Sequence, residues 1–520
     1  MNVQLKQEKG FSWKRKGALS FKGYLNADFD TVQFATSIAS RSTEELKKAL
    51  SKNQQFFALL VETEDKLVAA VDHLRSFPLF YAKIGTGLLV SDDARWIQQQ
   101  VNESSLEKTA QAELAMTGYV TGSETLLPSV KQLQAGEYLF YDKAKNELNI
   151  TTYLIMEETD QIEGDYVKLI NRVDQLHEEV FRRMIDSLQG RTIILPLSGG
   201  YDSRIIAMML KRLGYEKVIC YTYGKPGNWE ANVSKDIAES LDYEWIFVPY
   251  SAERWQKWYQ SQSRSHYYDE AGDFSALPHI QDIIAVEYLN KEELIPADSV
   301  FIPGHTAFLS FAGYERSCRD LSEVADELMK KHYVLWDWSY NGRSSYKNKL
   351  KEKVVHQLNS LQQERLENAF YLWEVRERHA KFICNSVRAY EHFGYEWRMP
   401  LWEKEMLTFW IGVPQEYRYK KRLYKDYFTH TFLKDYASIE KPNSHEKEVS
   451  KGIRDLLKSS PFIFYSMKKA QRIKGYQQHP FDWFKLVNRS TYVYGVIRGA
   501  KNINSFLVND YLDELEKGMK

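Results

Sequence analysis

The octet Leu197-Ser198-Gly199-Gly200-Tyr201-Asp202-Ser203-Arg204 is the stretch whose residue types and spacing point most directly to chemistry. Two glycines let the backbone turn tightly and present N–H groups, and Ser198 and Ser203 add hydroxyl donors. With a helix opening near Ser203, the positive end of its dipole joins them, and the whole becomes a cradle for phosphate. No Gly-Lys-Ser/Thr follows, so the loop is not of the Walker type that transfers a terminal phosphoryl group. Asp202 would repel bare phosphate. Its presence makes sense as a ligand of Mg²⁺, the hard cation that travels with nucleotide polyphosphates. The competing reading is an ordinary strand-to-helix turn with a capping serine, and the full octet at the end of an apolar strand favours the cradle.

Such a loop needs a buried sheet to hold it. RTIILPLS is a near-continuous apolar strand, RIIAMMLKRLG a helix ending at Gly214 and KVICYTYG another strand. NWEANVSKDIAESL is the next helix, and EWIFVPY and SVFIPG (299–304) are further strands. Apolar strands joined by helices predict a parallel sheet covered on both faces, with ligands at the carboxyl ends of its strands. Upstream, FFALLV at 56–61, KLVAAVD at 66–72, GLLVSD at 87–92 and EYLFYD at 137–142 read as strands, so residues 1–155 form a strand-rich first domain. The acidic MEETDQIEGD at 156–165 suits a linker, a helix runs over Tyr166–Leu188, and residues from about 320 to 520 read as mostly helical.

Composition narrows the function classes. The 520 residues carry 70 Lys+Arg against 70 Asp+Glu, a net charge that provides no global field for nucleic acid or anionic membrane. The start lacks the apolar core of a signal peptide, and no apolar run is long enough to span a bilayer. Three scattered cysteines, Cys220, Cys318 and Cys384, match neither a zinc site nor a redox pair and fit a cytoplasmic protein. The aromatic content of 14% reads as packing.

SGGYDS resembles the PP-loop of the ATP pyrophosphatases, which cleave ATP between the α- and β-phosphates and activate a substrate with the AMP moiety. The wider resemblance, over nearly the whole chain, is to the asparagine synthetase class. TYGKPGNWEANVSKDIA at 222–238 is similar to that family's second conserved segment, which places Thr222, Tyr223 and Gly224 near adenine. GYEWRMPLWEKEM at 394–406 resembles its Glu-x-Arg-x-Pro-Phe-Leu-Asp stretch through Glu396, Arg398, Pro400 and Glu403. VDHLRSFPLFY, LLVSDDARWI and TGYVTGSETLLPSVKQLQAGEYLFY look like the class II glutamine amidotransferase domain, an N-terminal-nucleophile αββα sandwich. The resemblance therefore implies that sandwich at 1–155, followed at 160–520 by an α/β PP-loop domain with helical additions.

Three departures qualify it. The working amidotransferase attacks glutamine with a cysteine at its first residue, its own amino group acting as base. Here residue 2 is Asn2, and no cysteine precedes Cys220. The same loss occurs in the β-lactam and carbapenam synthetases and in the lasso-peptide cyclases. The family's Ser-Gly-Glu-Gly-Ala-Asp-Glu segment aligns with Pro303–Leu309, so that His305 stands for its glutamate and Phe308 for its second Mg²⁺-binding aspartate. That leaves Asp202 as the one motif carboxylate for the metal. The family's transition-state lysine lies in a Lys-Glu-x-x-Ser-x-Gly pattern, and Lys447-Glu448-Val449-Ser450-Lys451-Gly452 is shorter by one residue. Lys447 is the candidate and Lys451 the alternative, in a stretch (441–474) with nine basic residues against three acidic.

The expected activity is an AMP-forming carbon–nitrogen ligation using ATP and Mg²⁺. A carboxylate is adenylated, pyrophosphate leaves, and an amine or ammonia captures the adenylate without glutamine hydrolysis. Leu197, Ser198, Gly199, Gly200, Tyr201, Asp202 and Ser203 hold pyrophosphate and metal, and Thr222, Tyr223, Gly224 and Gly304 the adenylate. Lys447 answers the developing charge, and His305 beside Glu396 either takes the proton, the carboxylate raising its pKa, or is a buried, hydrogen-bonded histidine that fills the lost glutamate's place. The rival readings are an asparagine synthetase fed by free ammonia and a nucleotide-binding pseudoenzyme that acts as a scaffold. A homodimer is left open.

Overall fold

The computed structural model describes residues 2–24, 43–51, 56–154, 165–306, 318–363, 365–432 and 461–519. Lys447, Lys451 and Phe308 lie outside the described residues.

The first ten strands form two sheets. β1 (Asn2–Gln4), β6 (Phe80–Ile84), β7 (Gly87–Ser91) and β8 (Lys131–Gln132) make one, in the order β1-β7-β6-β8. β2 (Lys14–Lys16), β3 (Leu19–Tyr24), β4 (Phe56–Glu62), β5 (Lys66–Val71), β9 (Glu137–Asp142) and β10 (Glu147–Thr152) make the other, in the order β10-β9-β5-β4-β3-β2. The strands' alternation explains the layering. Phe56, Ala58 and Leu60 of β4 face the core shared with β6 and β7, while Phe57, Leu59 and Val61 face the opposite side, under Leu46 and Leu50 of the helix Thr43–Ser51. A strand covered on both faces reads as an unbroken apolar run, which is what FFALLV is. The helix Ala94–Val101 packs on β6 and β7 from the other side, completing helix, sheet, sheet, helix, the expected sandwich.

After the helix Tyr166–Leu188 comes the parallel sheet: β11 (Ile193–Pro196), β12 (Val218–Gly224), β13 (Glu244–Pro249), β14 (Val300–Phe301) and β15 (Glu396–Trp397), in the order β13-β12-β11-β14-β15. β11 is central, with β12 on one side and β14 on the other, so the chain leaves β11 for β12 and leaves β14 for β15 on the opposite side, opening a crevice at the carboxyl ends of β11 and β14. β15 escapes the sequence reading because a two-residue strand leaves no periodicity to detect. From Leu321 onward the other elements are helices, including a ten-residue π-helix, Glu374–Ile383.

The two groups of elements share one continuous core. Trp397 of β15 is fully buried among Phe11, Tyr24, Phe56 and Phe77, with ring centroids 5.3, 5.8, 6.0 and 5.3 Å away. Nearby polar contacts fasten the same seam. Lys381 of the π-helix donates to Glu377 (2.5 Å) and to the Gly122 carbonyl (2.6 Å), and the Gly122 N–H donates to Glu377 (2.8 Å).

Candidate functional site

The phosphate loop occupies the carboxyl end of β11 and opens the helix Tyr201–Arg212, two residues earlier than the sequence suggested. Gly200 is the N-cap and no side chain caps the first turn, so the dipole's positive end is not answered by a local oxygen. The loop is internally braced. Ser198 N–H donates to Ser203 Oγ (3.1 Å), Gly200 N–H to Ser198 Oγ (3.2 Å), and the two serine hydroxyls lie 3.1 Å apart. Arg204, fully buried, donates to the carbonyls of Gly200 and Gly199 (both 3.1 Å). The carbonyls are thus occupied from one side by a guanidinium, an arrangement the octet's glycines and serines alone did not disclose.

Gly304, just past β14, closes the other wall. A Cβ there would stand 3.2 Å from Ser203 N and 3.4 Å from Ser203 Cβ, so the bare backbone is what fits against the loop. Trp229, more than half exposed, leans over Gly199, where a Cβ would meet its ring at 3.1 Å. A serine- and glycine-lined helix N-terminus at a sheet crevice fits a nucleotide's polyphosphate.

Asp202 is the one carboxylate of the loop octet. Tyr424 donates its hydroxyl to it and in turn meets Thr306. Burial raises the pKa of Asp202, against the lowering effect of the Tyr424 hydrogen bond and the Lys421 charge. Among the described residues no group of three His, Cys, Asp or Glu side chains could hold a metal. A Mg²⁺ ion carried in on phosphate oxygens fits this arrangement, with Asp202 as the carboxylate that would hold it.

The other predicted residues are placed differently. Thr222 Oγ1 donates to the Leu197 carbonyl (2.6 Å) and bonds Ser234, so it braces the loop from behind. The Tyr223 hydroxyl donates to Asp282 and accepts from Gln281 (2.9 Å), and its ring stacks on Tyr250 at 5.0 Å. Gly224, at φ +137, lies beneath Pro480, whose carbonyl accepts from Lys225 N–H (2.7 Å). The expected adenine contacts at 222–224 are thus side chains engaged within the protein and a glycine under a later segment.

The pairing of His305 with Glu396 is not formed. Glu396 stands opposite Val300 in the ladder, at the start of β14, whereas His305 follows the strand's far end. Burial would raise the pKa of Glu396, but the Arg191 hydrogen bond (2.9 Å) and the Arg398 charge (3.0 Å) outweigh it and hold the carboxylate below its ordinary value. Glu396 is therefore an ion-pair partner at the sheet's opposite end. His305 Nε2 meets Ser386 Oγ instead, at 2.7 Å. Burial pushes this imidazole down to about 4, the reverse of the rise a neighbouring Glu396 would have caused. Tyr424, Thr306, Trp229 and Ser386 are the site residues that sequence reasoning missed; Thr306, next to His305 in the aligned segment, and Trp229, within the matched segment 222–238, carried a signal.

Among the described residues no helix is long and apolar enough to cross a membrane. No curated protein matches the sequence. Among solved structures, the NH3-dependent NAD synthetase from Campylobacter jejuni is similar at 17% identity, TM-score 0.21, over 42% of this chain and 94% of its own. The glutamine phosphoribosylpyrophosphate amidotransferase from B. subtilis is similar at 10% identity, TM-score 0.20, over 63% and 71% respectively. The asparagine synthase family profile matches residues 174–434, half of the chain, and spans the phosphate loop, Gly304 and the Asp202–Tyr424 contact. The chain belongs to the asparagine synthase family.

Proposed function

We propose that this protein is an ATP-dependent ligase that adenylates a carboxylate, releases pyrophosphate and joins the acyl group to an amine or ammonia. The observation that carries it is the uncapped helix N-terminus behind Ser198–Gly200 with Gly304 against Ser203, at the crevice of a parallel sheet. ATP bound there supplies the leaving pyrophosphate. Ser198, Ser203 and the loop N–H groups take its charge, and Asp202 would hold Mg²⁺, which would supply further charge neutralisation. His305, neutral with its pKa near 4, and Ser386 form a polar pair at the carboxyl end of β14. In this reading they receive the incoming amine and orient its proton. A base so weak favours hydrogen bonding over full proton storage. Lys447 remains the proposed cation for the developing negative charge.

We also propose that the N-terminal elements do not hydrolyse glutamine. Asn2 begins β1, and an amide offers no nucleophile. Burial pushes the thiols of Cys220 and Cys384 up to about 12, which keeps both protonated.

The test is exchange of labelled pyrophosphate into ATP over a pool of carboxylates. It is followed by AMP release with ammonium, with glutamine, or with primary amines. Carboxylate-dependent exchange together with ammonium- or amine-dependent turnover is expected, and aspartate with ammonium as the sole productive pair would select the ammonia-fed asparagine synthetase. Turnover with glutamine alone would overturn the proposal for the N-terminal elements. A second reading, a nucleotide-binding scaffold, draws on the solitary Asp202 carboxylate held by Tyr424. ATP binding without exchange on any carboxylate would select it.

A further inference from the structure

Of the 13 tryptophans in the chain, all but one are buried or half-buried. The exception is Trp229, 54% exposed. Its backbone is fixed all the same. It opens the helix Trp229–Ser240, whose N-cap Asn228 accepts from Ala231 N–H at 2.9 Å and donates to the Lys225 carbonyl at 2.8 Å. The far edge of its indole rests on the phosphate loop. A Cβ on Gly199 would meet two of the ring's carbons at 3.1 and 3.3 Å, and Val233, a turn further along the helix, at 3.8 Å. An indole left in water forgoes the burial that the other tryptophans obtain. At the rim of a crevice, such a ring is a surface suited to a ligand.

The chemistry of the loop says which part of a ligand that is. Serine hydroxyls and backbone N–H groups at a helix N-terminus take phosphate oxygens, and an apolar ring offers those nothing. A nucleoside triphosphate held by the loop still has its base to place. The side chains at 222–224 present no open ring to it. Thr222 bonds the Leu197 carbonyl and Ser234, Tyr223 is stacked on Tyr250 and bonded to Asp282 and Gln281, and Gly224 lies beneath Pro480. Trp229 follows Gly224 by five residues, on the same connection out of β12, and touches the loop directly.

We propose that Trp229 holds the base of the bound nucleotide by stacking it on the indole, so that affinity for ATP divides between the loop, which takes the phosphates, and this ring, which takes the base. Stacking presupposes that the loop binds ATP, as proposed above, and is independent of which acid or amine follows. Every base has a face to stack, and the larger purines gain the most from it. Inorganic tripolyphosphate, which has none, is the natural control.

The experiment titrates the full chain, in the presence of Mg²⁺, with ATP, CTP and tripolyphosphate by calorimetry, and follows acrylamide quenching of tryptophan emission, to which the exposed indole contributes most. Saturating ATP is expected to shield that emission and tripolyphosphate to leave it open. Trp229→Ala is expected to weaken ATP at least 10-fold, CTP less, and tripolyphosphate by less than 2-fold, with the ligand-free thermal midpoint unchanged; Trp229→Phe should recover much of the loss. ATP bound equally well by Trp229→Ala and the wild type overturns the stacking and leaves the ATP site standing. Equal losses for ATP and tripolyphosphate also overturn it, making the indole a brace of the loop. A wild-type chain that takes tripolyphosphate but not ATP overturns the stacking and the ATP site together.

Discussion

The backbone of Gly304 passes so close to Ser203 that a single methyl group would press the phosphate loop aside by a few tenths of an ångström. Gly304→Ala is therefore expected to reduce pyrophosphate exchange by at least 10-fold while the far-ultraviolet spectrum and the thermal midpoint change little, since the contact is local to the loop. Unchanged exchange would remove Gly304 from the site. Glu403 supports a prediction on stability. Burial pushes its carboxyl up to about 8, with Glu405 reinforcing the shift and Arg183 and Arg398 opposing it. The folded state then keeps a proton that the unfolded chain releases near 4.5, so stability falls as pH rises from about 4.5 towards 8. The slope from this one group approaches about 1.4 kcal/mol per pH unit. Glu403→Gln should flatten it and leave the variant the more stable partner at pH 8, as measured by urea midpoints across that range.

At the scale of elements, the π-helix Glu374–Ile383 is the fastening most open to test. Its wider turn is usually limited to single-turn bulges, and here it runs for ten residues that carry Glu377 and Lys381 to Gly122. Both side chains are almost fully buried, and burial draws Lys381 down to about 8 even beside Glu377. Lys381→Met leaves Glu377 buried without its cation and should cost roughly 3–5 kcal/mol, while the double change with Glu377→Met should recover most of that loss. Equal destabilisation in the single and double variants would show that packing, not charge, dominates. Elements of this kind also show where sequence reading stops. The strands FFALLV and EYLFYD and the loop SGGYDS were legible because burial on two faces or a special backbone forces a recognisable residue pattern. β15 was not, having two residues, and the supposed His305–Glu396 pair failed because alignment orders residues along the chain without saying which end of a strand they occupy.

For the molecule as a whole, the seam between the two groups of elements is a core and not a joint. The aromatic content proves to be packing, as read, and its densest use is the ring cluster around Trp397. A chain of residues 165–520 alone would expose that indole and the apolar sheet edge beside it. It is expected to be insoluble or to bind a hydrophobic dye strongly. A soluble, cooperatively unfolding fragment would show that the shared core is dispensable.

That seating of Trp397 bears on descent as well as on folding. A module whose rings hold its neighbour's edge strand in place cannot be discarded by deletion, whatever becomes of its own reaction. Point changes away from those rings remain open to it, because they leave Phe11, Tyr24, Phe56 and Phe77 where they stand. Drift away from that inner face, with fixity upon it, is the pattern such a chain would leave among its kin.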